Sequence, residues 1–140
     1  MNRLREADRD KVQPETKDEL KKIIEDTIVD QGYDCDLNFI DTSKITDMSC
    51  LFCYSKFNGD ISKWNTSKVK DMTSMFYKSK FNGDISKWNV RNVEDMRDIF
   101  RNSKFAGDIS DWDVRHVKYA EDMFKRCPLE NKPEFQPKKD

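Results

Sequence analysis

The stretch FNGDISKWN occurs twice without a change, at Phe57 to Asn65 and at Phe81 to Asn89, and a third version, FAGDISDWD, runs from Phe105 to Asp113. Phe57, Phe81 and Phe105 are 24 residues apart, and Trp64, Trp88 and Trp112 keep the same spacing. The period extends backwards into a worn copy beginning YDCDLNFI, where Tyr33 takes the Phe slot, Leu37 the Ile slot and Ile40 the Trp slot. A fixed period of this length is the mark of stacked units that bury their apolar sides only against one another. Four copies are expected, at 33–56, 57–80, 81–104 and 105–128, together forming a region over 33–128.

Two patterns meet inside each copy. The first half is short, contains Gly and centres on a lone Ile (Ile61, Ile85, Ile109), which predicts a brief strand. The second half sets Val69, Met72, Met75 and Phe76 on one helical face, and copy three repeats this with Val93, Met96, Ile99 and Phe100. In the last copy Val117 and Phe124 keep their slots, while Ala120 replaces a Met. Thr66 or Ser67 is placed to cap such a helix. The fold class expected is therefore α/β: a leucine-rich-repeat-like solenoid of four 24-residue coils, each a strand plus a short helix. The predicted core is the column set Phe57, Phe81 and Phe105; Ile61, Ile85 and Ile109; Trp64, Trp88 and Trp112; and the helical-face residues Val69, Met72, Phe76, Val93, Met96, Phe100, Val117 and Phe124. Equivalent residues should stack about 4.8 Å apart.

Open stacks need end caps. Residues 1–32 are read as a charged arm followed by a capping helix: Thr16 and Glu19 have capping-box spacing, Leu20, Ile23, Ile24 and Ile28 form an apolar stripe, and Gly32 stops it. Residues 129–140 are read as a C-terminal cap or tail, with Leu129 and Phe135 as its apolar contacts.

The run FNGDISKWNTSKVKDMTSMFYKSKFNGDISKWNV resembles the repeat of the BspA-like leucine-rich-repeat surface proteins, and similar repeats occur in mycoplasma lipoproteins of unknown function. The resemblance spans about Lys17 to Pro128 and rests on D-I-S-x-W and M-x-x-M-F at constant spacing. It implies a protein-binding solenoid at bacterial or parasite surfaces, and it carries over no catalytic residues.

Charge and chemistry narrow the function further. Charged residues make up 38% of the chain but leave a net charge of -1, so neither nucleic acid nor a membrane surface is an expected partner. The charged start lacks a signal peptide or lipid-attachment cysteine and no run reaches membrane-spanning length, so a cytoplasmic location is expected as written, or the cell surface if a signal has been removed. Asp36, Asp60, Asp84 and Asp108 share one slot, and stacked carboxylates repel by about 1 kcal/mol per pair in water. Backbone N–H groups offset that most simply; calcium is the sharper alternative, but known calcium repeats carry a denser Gly-Asp pattern. No metal and no cofactor is expected. Cys50 and Cys53 form C-x-x-C, yet Cys35 and Cys127 cannot complete one zinc site with them, so four free, mostly buried thiols are expected. His116 falls in a solvated slot without a nucleophile beside it.

The function expected is non-enzymatic: a monomeric module that binds another protein. The contact surface expected is a strand-face ribbon of Asp60, Ser62, Lys63, Asp84, Ser86, Lys87, Asp108 and Ser110. Copies two and three differ mainly in the other half, as at Ser67 and Arg91, Lys70 and Glu94, Thr73 and Arg97, Ser74 and Asp98, and Tyr77 and Arg101. These positions are the alternative contact face. The rival reading is a structural, adhesin-like component whose repeats associate into a surface array.

Overall fold

The computed structural model describes residues 12–138; the charged arm expected over 1–11 and the last two residues lie outside them. Among the described residues there is one α-helix, α1 (Lys17–Gln31), and two short 3-10 turns, Pro128–Asn131 and Pro133–Phe135. From Tyr33 onward the described residues hold the 24-residue register without forming a sheet. Among the described residues only isolated parallel bridges occur: Asp36 with Asp60, Asp47 with Asp71, Asp71 with Asp95, and Asp95 with Tyr119.

These findings overturn the expected leucine-rich-repeat solenoid of strand-plus-helix coils. The apolar spacing of Met72, Met75 and Phe76 is satisfied by consecutive turns instead of a helix. Met75 N–H donates to Met72 O, Tyr77 to Ser74 and Ser79 to Phe76, all three residues back, at 3.1–3.2 Å. Ser74 and Lys78 have φ of 56° and 55°, and the equivalent residues of every coil do the same: Cys50 and Tyr54, Asp98 and Asn102, Asp122 and Arg126. A left-handed residue at every fourth position interrupts any continuous helix. The intervening N–H groups point out of the coil. Those of Met72, Ser74, Phe76 and Lys78 reach the carbonyls of Asp95, Arg97, Ile99 and Arg101 in the next coil, all at 2.9 Å. Spacing of three and four, read alone, cannot distinguish this alternation from a helix.

The expected strand is cut short for a related reason. After the bridge at Asp60 the chain turns at once, with Trp64 N–H on Ile61 O at 3.2 Å. The Asp60 carboxylate accepts the Ser62 N–H at 2.9 Å, forming an Asx turn. The same corner recurs twice in that coil, where Asn65 accepts from Ser67 N–H and Asp71 from Thr73 N–H, each at 2.9 Å. One coil is thus three corners, each an Asx followed by two inward residues: Ile61 and Trp64, Thr66 and Val69, Met72 and Met75.

Inside, the aromatic residues stand in files. Phe57, Phe81 and Phe105 stack at 6.1 and 6.3 Å between ring centroids, and Phe52, Phe76, Phe100 and Phe124 at 5.7, 5.5 and 6.1 Å. Trp64, Trp88 and Trp112 stack at 6.4 Å, wider than one backbone rung, because nearly parallel indoles slide sideways into offset contact. Of the named core columns all are buried except Phe124, which is partly exposed at the end of its file.

Helix α1 caps the first coil. Its Thr16–Glu19 capping box is complete, Leu20 and Ile24 are buried, and Gly32, at φ 92°, closes it with an N–H to Ile28 O. At the far end Leu129 is buried, and Phe135 O accepts the Ile109 N–H at 2.9 Å.

Candidate binding surface

The corner headed by Asp60 repeats along the stack, so Asp60, Asp84 and Asp108 form one exposed file, with Ser62, Ser86 and Ser110 half-buried beside it. There is no concave sheet for this ribbon to lie on; it runs along a ridge of turns. Each carboxylate accepts its own serine N–H, at 2.9, 2.9 and 3.0 Å, and each sits below the usual carboxylate range. For Asp60 the backbone bond from Ser62 is the main cause; for Asp84 and Asp108 the serine hydroxyl leads. The repulsion between stacked carboxylates is thus met by donors inside each corner, and the neighbouring Asp60 acts only weakly against Asp84.

Lys63 and Lys87 are exposed next to this file, while Asp111 takes their slot in the last coil. The Lys63 N–H is held by the Asn38 side chain at 2.8 Å. Asn58 similarly accepts from Asn82 N–H, and Asn82 from Ala106 N–H. These side-chain rungs fix the spacing between coils on the same side as the carboxylates.

The alternative face is chemically varied. Arg97 grips Asp95 through two nitrogens, at 2.6 and 3.1 Å, and lies 5.0 Å from the Tyr119 ring centre. Tyr54 and Tyr77 meet edge-on at 5.4 Å, with Lys78 Nζ 5.6 and 5.5 Å from their rings. His116 Nδ1 lies 2.9 Å from Arg91 O.

The cysteines require a second correction. Cys50 and Cys53 are joined in a disulfide across one turn, leaving Cys35 and Cys127 as the free thiols, both buried and raised in pKa chiefly by that burial. In other coils the same two slots hold Ser74 and Tyr77, or an Asp98–Arg101 ion pair at 3.4 Å. The turn brings its first and fourth side chains together whatever their chemistry. Expecting a helix there hid this, because the pair was placed in mid-helix. No group of three or more His, Cys, Asp or Glu residues among the described residues is arranged to hold a metal ion.

The three-corner rule was the signal that motif reading missed. Asx residues at offsets of 0, 5 and 11 (Asp36, Asp41, Asp47; Asp60, Asn65, Asp71; Asp84, Asn89, Asp95) mark it in the sequence. Each accepts the N–H two residues on.

Among the described residues no helix is long and apolar enough to cross a membrane. No curated protein and no solved structure matches the chain. Residues 20–135 match the family described as Mycoplasma protein of unknown function, DUF285, and the chain belongs to that family.

Proposed function

We propose that this chain is a non-enzymatic module that binds another protein through files of side chains held at fixed spacing along the stack of turns. The observation that carries the reading is the Asp60, Asp84 and Asp108 file. Three exposed carboxylates are presented at one repeat interval, each fixed by its own Asx turn. Side chains ordered before contact give up less entropy on binding. The exposed Lys63 and Lys87 alongside give the ridge an alternation of charge that sets register with a partner. The resemblance to surface proteins points to display outside the cell, and the Cys50–Cys53 disulfide fits an oxidising compartment.

The test is capture of partners from the native cell by the full chain, compared with the triple substitution Asp60→Asn, Asp84→Asn and Asp108→Asn. Asn keeps the turn, as Asn65 and Asn89 do naturally, while removing the charge. A specific partner that is retained by the parent and lost by the triple variant is the expected result. Equal capture by both removes the carboxylate file from the interface.

A further inference from the structure

The last coil ends in an unfinished hydrogen-bond row. In each earlier coil four N–H groups donate to the coil that follows; those of Met96, Asp98, Phe100 and Asn102 reach Tyr119, Glu121, Met123 and Lys125 at 2.8–3.0 Å. The equivalents in the last coil are Ala120, Asp122, Phe124 and Arg126. Only Arg126 is provided for, its N–H resting on the Glu130 carboxylate at 3.2 Å. Among the described residues nothing accepts from Ala120, Asp122 or Phe124. Lys118 O is likewise vacant there, although its counterpart Lys70 O accepts from Glu94 N–H at 2.9 Å. The tail covers Ile109 through Phe135 and brings Gln136 and Pro137 up to this side, yet it offers these three N–H groups no acceptor among the described residues.

An apolar opening accompanies the row. A cavity of about 320 Å³ is lined by Met96, Val114, Val117, Ala120, Met123 and Phe124, together with Gln136 and Pro137 of the tail. Ala120 stands where the two preceding coils carry Met72 and Met96, which leaves the space unfilled. Phe124 stacks on Phe100, whereas Phe100 itself is stacked on both sides, by Phe76 and Phe124.

We propose that this edge docks an extended segment of a partner protein, which adds itself as a further rung parallel to residues 118–126. The proposal rests on the protein-binding reading and names the mode of contact. The segment must offer carbonyls on alternate residues, one N–H for Lys118 O, and an aromatic side chain to continue the Phe52–Phe76–Phe100–Phe124 file. This is backbone pairing for affinity with side-chain pockets for specificity, and the three internal junctions define its register. A partner segment fits this edge better than a second copy of the chain. Two such edges facing each other would set N–H rows against N–H rows. Among the backward carbonyls of the first coil, Ser49 O is already held by Lys17 Nζ of α1 at 3.2 Å.

The test uses the full chain, labelled for amide NMR, and a peptide of residues 94–104 (EDMRDIFRNSK), whose carbonyls at Asp95, Arg97, Ile99 and Arg101 receive such a row within the molecule. The expected result is saturable shifts centred on the Ala120, Asp122 and Phe124 amides, about tenfold weaker binding to Met123→Lys, and none by a scrambled peptide. Retained shifts elsewhere in the Met123→Lys spectrum show that the variant is folded. An absence of saturable shifts at those amides at millimolar peptide, or equal response to the scrambled peptide, overturns the edge. Partner capture that depends on the Asp60 file and is indifferent to Met123→Lys keeps the binding module and rejects this docking mode.

Discussion

The indole Nε1 of Trp88 donates to the main-chain oxygen of Ile61, 3.0 Å away in the preceding coil. Trp64 does the same to Leu37 and Trp112 to Ile85, both at 2.9 Å. Each tryptophan is therefore a buried file member and also a polar tie across a coil junction. Trp88→Phe keeps most of the stacking and leaves the Ile61 carbonyl without its donor. An unsatisfied buried acceptor costs about 1–3 kcal/mol, so the free energy of unfolding from denaturant titration should fall by that amount. A free energy within about 0.5 kcal/mol of the parent would mean the ring alone holds the junction.

Ser74 sits at φ 56° with no hydrogen bond from its side chain. A left-handed non-glycine residue costs roughly 1–2 kcal/mol, and Gly returns part of that as unfolded-chain entropy. Ser74→Gly should therefore raise stability by about 0.5–1 kcal/mol, read as an increase in Tm. A decrease would show that the turn is held by something other than its backbone geometry.

Gly59 and Gly107 occupy the same slot in different coils, but their surroundings differ. A Cβ on Gly59 would run into the Cys35 carbonyl oxygen as well as the Phe57 ring, while one on Gly107 meets only the Phe105 ring, at 2.8 Å. Backbone yields less readily than a ring. Gly59→Ala should cost more than Gly107→Ala, by about 1–3 kcal/mol on the scale of overpacking. Thermal melts of the two variants give the order directly, and equal costs would contradict the close approach of the first two coils.

The 24-residue register and the buried columns were legible because identical residues at constant spacing leave few arrangements in which all of them are buried. Phe57, Ile61 and Trp64 lie inside for that reason, whatever the local backbone does. The backbone itself was not legible. Val69, Met72, Met75 and Phe76 suit a helix as well as a chain of turns, and the deciding left-handed residues are Ser74 and Lys78, types that do not announce positive φ. Asp98 and Asn102 in the next coil do announce it, since Asp and Asn tolerate that region best. Aligning the copies by their turn chemistry rather than their apolar residues would have revealed the alternation. The open rung at Ala120 was hidden for a different reason: it depends on where the tail lies, which no repeat specifies.

The carboxylates that head the corners make acid the sensitive direction. Asp60, Asp84 and Asp108 are lowered in the fold, and the Arg115 side chain beside Asp113 lowers its carboxyl to about 2. A group lowered by folding adds stability above its unfolded value and loses that contribution as pH falls through its folded value. The loss should begin near pH ~4, where free aspartates protonate, and continue down to about 2 for Asp113. Replacing Asp60, Asp84 and Asp108 together by Asn removes three of these protonation steps while each Asx turn survives. Tm of the triple variant should therefore lie below the parent value at pH 7 and approach it as pH falls to 3. Parallel Tm curves for the two proteins across that range would mean that the corner carboxylates are not coupled to folding.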